Sequence, residues 1–251
     1  MPRTTVVVPC FNEAERLPAG AFADFAEASS DVDFLFVNDG STDRTETILR
    51  ELEERDPARF QVRSLGFNRG KAEAVREGIR AALASQPGPR YVGFWDADLA
   101  TPLAAIPRLV AVLDERPEVQ MVFGARVKLL GRAIERSGLR HYPGRVFATL
   151  VSLLLGLPIY DSQCGAKLFR VGDELPALFE EPFVTRWIFD VEILMRFIRA
   201  RQAAGESDVE SGIYEYPLDE WKDVAGSKLR PLDVLLTIAD LARVHRTYRI
   251  R

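Results

Sequence analysis

The chain has 251 residues, of which 47% are hydrophobic and 28% charged, and this length is enough to bury one substantial core. It predicts a single α/β domain with an appended segment rather than two full domains. The formal net charge of −4 argues against a general nucleic-acid-binding protein. The only cysteines, Cys10 and Cys164, lie in no CxxC or Cys/His cluster, which indicates a reducing cytoplasm.

Strand and helix patterns alternate through the first half of the chain. Apolar runs predict strands over 4–8, 33–37, 60–65, 91–95 and 119–123. Between them, helices are predicted from the capping residues near Ser41 to about residue 54, from Lys71 through Ala82, and from Thr101-Pro102 onward. This order predicts a mostly parallel sheet with helices on both faces, whose ligands bind at the carboxyl ends of the strands.

The second half is less regular. It predicts a basic loop over 126–145, an apolar helix over about 146–156, a segment over 164–170, a helix near 187–201, a strand near 213–216 and a final helix from about Pro231. The longest apolar stretch, 146–157, is about 12 residues long, whereas a membrane-spanning helix needs roughly 20. No signal peptide is evident at Met1. We therefore expect a protein that does not cross a membrane.

Acidic and amide groups follow three of the predicted strands. Asp96 and Asp98 come directly after the strand at 91–95, Asp39 follows the strand at 33–37, and Asn12 and Glu13 follow the first strand. Two carboxylates at the end of a buried strand need positive charge nearby, and a divalent cation that carries a nucleotide diphosphate supplies it. The pattern therefore predicts a metal-assisted nucleotide site.

Several runs of sequence occur together in one order. They are VVVPCFNE at 6–13, VNDGSTD at 37–43, NRGK at 68–71, DAD at 96–98, DSQCGAKLF at 161–169, FDVEI at 189–193, WKDV at 221–224 and GSK at 226–228. The first four resemble the motifs of glycosyltransferase family 2. The later four resemble its polyprenyl-phosphate branch, especially dolichyl-phosphate β-glucosyltransferases, with dolichyl-phosphate mannosyltransferases as neighbours.

The resemblance implies a GT-A fold and an inverting, metal-dependent enzyme that moves a hexose, glucose from UDP-glucose, to a polyprenyl or dolichyl phosphate. Residues 1–125 would form the nucleotide-sugar-binding half, and 126–251 the acceptor-binding half with the C-terminal helices of the same domain. The cofactor would be Mg²⁺ or Mn²⁺, because oxygen ligands serve both. Mannosyltransferase relatives have a metal-binding glutamine where this chain has Ala100. At this point the identity of the sugar, the choice between UDP and GDP, and the identity of the acceptor stay open.

Candidate site residues follow from both arguments. The expected nucleotide-sugar-binding residues are Pro9, Asn12, Glu13, Asp39, Gly70, Lys71 and Asp96, and the expected metal ligands are Asp98 and Asp96. Asp39 is suited to accept the N–H of a uracil or guanine edge, and Lys71 places a positive charge at a helix start. The acceptor phosphate is expected at Arg126, Arg136, Arg140, Lys167 and Lys228, and the catalytic candidates are Asp98, Arg126 and Asp190.

The acceptor decides the mechanism. A lipid phosphate has a second pKa of about 6 and is mostly ionised near neutral pH, so it attacks without a protein base and needs cationic guidance. A soluble or other hydroxyl acceptor needs a base, for which Asp190 is preferred over Glu192. A non-catalytic nucleotide-sugar-binding protein is a third alternative. The apolar helix next to the arginines predicts a peripheral enzyme at the cytoplasmic face of the membrane, or one held there by an integral membrane partner.

Overall fold

The computed structural model describes residues 4–135, 138–224 and 231–248. The strands in this part of the chain are β1 (Thr4–Cys10), β2 (Val32–Asn38), β3 (Phe60–Ser64), β4 (Tyr91–Trp95), β5 (Met121–Ala125), β6 (Ala133–Glu135), β7 (Ala166–Arg170), β8 (Ile213–Pro217) and β9 (Glu220–Lys222). The helices are α1 (Ala19–Ala28), α2 (Thr45–Arg55), α3 (Lys71–Leu83), α4 (Ile106–Glu115), α5 (Gly138–Leu155), α6 (Leu175–Leu178), α7 (Phe189–Ala203) and α8 (Pro231–Tyr248).

Seven of these strands form one sheet in the order β3-β2-β1-β4-β7-β5-β8. Neighbouring strands are parallel, except that β7 runs antiparallel to both β4 and β5. The predicted α/β fold with a mostly parallel sheet is confirmed. Strand order reverses at β1, which pairs with β2 on one side and with β4 on the other, and this is the place where open α/β sheets bind ligands.

Helices cover both faces of the sheet. On one face, α3 and α7 pack against Val7, Phe94 and Phe123. On the other face, α1 and α4 pack against Val8 and Phe36, and most side chains of the inner strands are buried. Because both faces are covered, the inner strands are continuous apolar runs rather than alternating ones, which is why they were readable in the sequence.

The connection between β5 and β7 differs from the predicted basic loop over 126–145. The short strand β6 forms within it and pairs in parallel with β9, where Ile134 lies opposite Trp221. The apolar helix α5 begins at Gly138 rather than at residue 146. Ile134 is buried, and its burial stabilises this three-residue strand. The local sequence does not predict the strand, because the burial depends on tertiary contacts.

The apolar helix α5 is only partly buried. Val151 and Leu155 face the core, whereas Val146, Leu150 and Leu153 are exposed. Within the described residues, no helix combines the length and the hydropathy needed to cross a bilayer.

Candidate active site

Loops from several strands meet at the carboxyl edge of the parallel sheet. The loops after β1 and β2 are joined by hydrogen bonds: the Asn12 backbone N–H donates to Ser41 Oγ (3.0 Å), and Thr42 N–H donates to Asn12 Oδ1 (2.8 Å). Asn12 has a φ of 50°, a left-handed conformation that asparagine tolerates. The Glu13 N–H donates to Thr45 Oγ1 at 2.8 Å. Asn12 therefore shapes the two loops, and its predicted contact with the nucleotide stays a prediction.

Asp39 holds a third loop in place. It is buried, and its two carboxylate oxygens accept the backbone N–H groups of Arg69 (2.7 Å) and Gly70 (2.8 Å). Its own N–H donates to the carbonyl of Cys10, next to Pro9 at the end of β1. Burial raises the pKa of Asp39, and the two hydrogen bonds offset only part of this effect. Each oxygen keeps a second lone pair that can accept the N–H of a uracil or guanine edge, and this contact stays a prediction.

Gly70 and Lys71 form the start of α3. Gly70 has a φ of 96°, a left-handed conformation that favours glycine, whereas the nearest atom to a Cβ there, Nε of Arg186 at 2.8 Å, belongs to a flexible side chain that can move aside. Lys71 Nζ pairs with Asp96 Oδ1 at 2.5 Å. Burial lowers the pKa of this lysine, but the surrounding carboxylates, Asp96 foremost, raise it above its ordinary value. Lys71 is therefore a fixed cation beside Asp96 and Asp98, which together are called the acidic pair.

Asp96 is held against Gly165, which directly precedes β7. Its backbone N–H donates to the Gly165 carbonyl at 2.9 Å. A Cβ atom on residue 165 would lie 1.9 Å from Asp96 Oδ2, so only glycine leaves room for the carboxylate. Gly165 belongs to the DSQCGAKLF run, but no role was predicted for it, because nothing in the sequence shows that it lies beside Asp96.

Asp98 is paired with an arginine that the sequence analysis missed. Arg16 Nη2 lies 2.5 Å from Asp98 Oδ2, and Arg16 Nε lies 3.6 Å from Glu13 Oε2. The other Asp98 oxygen accepts the Ala100 N–H at 3.1 Å. Arg16 follows the first motif by three residues, and this proximity in the chain was the only signal available for it.

Lys167 and Asp190 form a buried ion pair, with Lys167 Nζ 2.6 Å from Asp190 Oδ1. The same ammonium donates to the carbonyls of Ser162 (2.9 Å) and Cys164 (2.6 Å). Nζ is therefore buried and surrounded by two carbonyl oxygens and one carboxylate oxygen of the protein. This arrangement differs from the predicted role of Lys167 in binding acceptor phosphate, because the buried ammonium is not accessible to that ligand.

Asp190 lies in the first turn of α7 and is buried rather than at an open surface. It is 5% exposed and its carboxylate binds an ammonium, so a hydroxyl acceptor has little access to it as a base. The alternative base, Glu192, is fully buried, and its oxygens accept hydrogen bonds from Val184 N–H, from Arg196 and from the Tyr248 hydroxyl. Glu192 therefore ties α8 to α7.

Arg126 lies at the end of β5 and binds Asp161 with two guanidinium nitrogens, at 2.6 and 2.7 Å. Its guanidinium also lies 5.3 Å from the ring centre of Trp221. Burial lowers the pKa of Arg126, but Asp161 raises it above the usual range, so the group stays cationic. Arg136 and Lys228 lie outside the described residues, and Arg140 lies on α5 in a part whose side chains are not described.

The acidic pair fits one kind of metal site. Among the described residues, no three His, Cys, Asp or Glu side chains converge as a metal cage. Asp96 and Asp98 offer carboxylate oxygens, the ligands that Mg²⁺ and Mn²⁺ prefer. Such ions commonly bind one or two carboxylates and take their other ligands from phosphates and water. The residues present therefore fit an ion that arrives with a diphosphate.

Comparisons with known proteins agree with this geometry. The family model described as glycosyl transferase family 2 matches residues 5–173. The dolichyl-phosphate β-glucosyltransferases of Dictyostelium discoideum and Drosophila melanogaster are 30% and 33% identical over 97% and 90% of this chain, and over 74% and 69% of their own lengths. The human enzyme is 30% identical over 90% of this chain and 69% of its own.

Solved structures show the same fold. Glucosyl-3-phosphoglycerate synthase from Mycobacterium tuberculosis, in complex with Mn²⁺, UDP and glucosyl-3-phosphoglycerate, has a TM-score of 0.65 at 21% identity over 100% of this chain and 81% of that one. A mannosyltransferase from Pyrobaculum calidifontis, in complex with GDP-Man and Mn²⁺, has a TM-score of 0.56 at 19% identity over 90% and 58%. The predicted family is confirmed: the chain belongs to glycosyltransferase family 2.

Proposed function

We propose that this chain is an inverting, metal-dependent hexosyltransferase that moves glucose from UDP-glucose to a polyprenyl phosphate such as dolichyl phosphate. Relatives that are 30–33% identical over most of the chain are named dolichyl-phosphate β-glucosyltransferases. The observation that carries the choice of acceptor is the buried ion pair between Asp190 and Lys167.

That ion pair bears on the acceptor because the two acceptor classes need different chemistry. A hydroxyl must lose a proton as it attacks, so it requires a base with an accessible lone pair. The candidate base, Asp190, is 5% exposed and bound to an ammonium group. A lipid phosphate is already ionised and attacks without a base. The site therefore favours a phosphate acceptor over a hydroxyl acceptor.

The donor is expected at the carboxyl edge between β1 and β4. The loop held by Asp39 and the loop shaped by Asn12 would flank the nucleoside, and Glu13 would accept a hydrogen bond from the ribose. Lys71 places its charge at the first residue of α3, where the helix dipole also favours a phosphate. A fold neighbour contains UDP-glucose with Mn²⁺, which supports this donor.

A divalent ion, Mg²⁺ or Mn²⁺, would be held by Asp98 with Asp96 beside it. When bound, it stabilises the negative charge that develops on the departing nucleoside diphosphate. Lys71 pairs with Asp96 at 2.5 Å and would offset part of the repulsion between Asp96 and the diphosphate. Arg126, fixed by Asp161 and stacked near Trp221, would guide the acceptor phosphate toward the sugar.

The acceptor lipid requires contact with a membrane surface. Val146, Leu150 and Leu153 are 62%, 41% and 76% exposed and lie on one face of α5, since residues three and four apart share a face. This stripe would lie among lipid headgroups at the cytoplasmic face and make the enzyme peripheral. Docking onto an integral membrane partner is the alternative use of the same stripe.

The test is transfer of radiolabelled sugar from UDP-glucose, with GDP-mannose in parallel, into an organic-extractable polyprenyl phosphate. Each donor is assayed with Mg²⁺, with Mn²⁺ and with a chelator. We expect metal-dependent lipid label from UDP-glucose. Release of the nucleoside diphosphate without lipid label would move the assignment to a soluble hydroxyl acceptor, and nucleotide binding without release or transfer would move it to a non-catalytic binding protein.

A further inference from the structure

Each carboxylate of the acidic pair has its own cation in this structure. Lys71 pairs with Asp96, and Arg16 pairs with Asp98. The Asp98 and Arg16 side chains are 19% and 21% exposed, and the Asp96 and Lys71 side chains are 35% and 28% exposed. The charges of the acidic pair are thus balanced before any ligand binds.

The backbone that carries Arg16 is anchored, whereas its side chain extends across the site. Arg16 N–H and Leu17 N–H both donate to the Glu13 carbonyl, at 2.9 and 2.8 Å, and Glu13 N–H is fixed to Thr45. Leu17 is buried behind the turn. The guanidinium therefore has a fixed base from which it turns by side-chain rotation alone, without movement of the loop.

We infer that Arg16 occupies the cation position on Asp98 and makes binding of the divalent ion depend on the nucleoside diphosphate. An ion that arrives alone must separate Asp98 from Arg16 and leave this arginine without its main partner. A nucleoside diphosphate brings phosphate oxygens that match the guanidinium fork, so Arg16 turns from Asp98 to the diphosphate. Arg16 thus pairs with Asp98 first and with the diphosphate afterwards, and this exchange couples the affinities of the metal ion and the diphosphate.

Coupling of this kind is reciprocal, so it has a signature apart from turnover. If the diphosphate strengthens metal binding by some factor, the metal strengthens diphosphate binding by the same factor. Typical couplings of this kind amount to about 5- to 150-fold. Removing Arg16 should strengthen binding of the metal alone by at least about fivefold and reduce the coupling factor correspondingly.

The experiment measures Mn²⁺ binding by electron paramagnetic resonance and UDP binding by calorimetry, each with and without the other ligand. The variants are Arg16→Met, which keeps the length of the side chain without charge, and Arg16→Lys, which keeps the charge without the fork. Arg55→Met is the matched control, because Arg55 pairs with Glu27 at the far end of α2 and its loss changes the net charge equally. Circular dichroism confirms that each variant is folded.

We expect Arg16→Met to bind Mn²⁺ alone more tightly, Arg16→Lys to lie between Arg16→Met and the wild type, and Arg55→Met to match the wild type. Mn²⁺ affinity unchanged within twofold in both Arg16 variants, or raised equally in the control, would overturn the inference.

The inference rests on the proposed metal site. The Asp98→Asn variant therefore distinguishes a wrong metal assignment from a wrong role for Arg16. If Asp98→Asn binds Mn²⁺ like the wild type, the metal assignment itself is wrong and the inference is lost with it. If Asp98→Asn loses Mn²⁺ binding while the Arg16 variants are unchanged, only the inference is lost. If the coupling is observed but no sugar reaches a lipid, the proposed acceptor is wrong and the role of Arg16 stands.

Discussion

Replacing Lys167 by methionine tests the buried ion pair on which the choice of acceptor depends. Lys167 Nζ pairs with Asp190 at 2.6 Å, and both side chains are nearly inaccessible, at 3% and 7% exposed. Lys167→Met keeps the length of the side chain but removes the ion-pair partner of a buried carboxylate. Breaking such a pair from one side costs about 3–5 kcal/mol of the free energy of unfolding.

Two carbonyl groups add to this loss, because the Ser162 and Cys164 carbonyls also accept from the ammonium group. Water that enters in place of Nζ would restore part of both bonds, so we take about 4 kcal/mol as the expected total. For a chain of this length, about 4 kcal/mol corresponds to a fall in Tm of roughly 8–16 °C.

The assay is urea unfolding followed by circular dichroism on Lys167→Met, Asp190→Asn and the double variant. The double variant removes both charges, so its loss should be smaller than the sum of the single losses by at least about 1.5 kcal/mol. Lys222→Met is the matched control, because Lys222 is 59% exposed and its pair with Glu220 should contribute less than about 1 kcal/mol. A loss below about 1 kcal/mol in Lys167→Met, or strict additivity, would refute the reasoning.

Three further predictions concern the mouth of the site and the thiols. Gly165→Ala places a Cβ atom 1.9 Å from Asp96 Oδ2, so we expect kcat/KM for UDP-glucose to fall at least about 100-fold in steady-state assays. Arg126→Ala removes the acceptor-guiding cation, so KM for polyprenyl phosphate should rise about tenfold while the Kd for UDP stays unchanged. Burial raises the pKa of Cys164 to about 11, and Cys10 is also buried, so neither thiol should react with a disulfide reagent at pH 8 until the protein is unfolded.

Controls separate these effects from loss of folding. Gly172→Ala is the control for Gly165→Ala, because a Cβ atom at residue 172 meets nothing within 4 Å. Equal losses of kcat/KM in the two glycine variants would contradict the steric argument. Arg108→Ala is the control for Arg126→Ala, because Arg108 is 62% exposed and pairs with Asp219. An unchanged acceptor KM in Arg126→Ala would remove the guiding role. Rapid labelling of the native protein would contradict the burial of the thiols.

Much of the donor side was predictable from the sequence because it is built from local pattern. Apolar runs fixed the strands, and the residues just after them, Asp39, Asp96 and Asp98, meet at one edge because parallel strands end there. The glycine and lysine at the start of α3 were equally visible. Pattern alone did not show that β7 inserts antiparallel between β4 and β5, because a five-residue run with an internal lysine carries no sign of its neighbours.

The partners of the charged groups were beyond the sequence. Arg16 and Asp98 are 82 positions apart, and nothing in their spacing indicates a 2.5 Å contact. The sequence analysis predicted that Lys167 binds the acceptor phosphate, but in the antiparallel strand β7 its side chain is buried and pairs with Asp190.

The sequence by itself indicated the family, through the resemblance of its motifs. It also determined the mostly parallel sheet and the edge at which the acidic groups collect, because these two features depend on periodicity and on residues adjacent to strands. Only the tertiary structure decided which cation neutralises which carboxylate, because that depends on the order and direction in which distant strands pair.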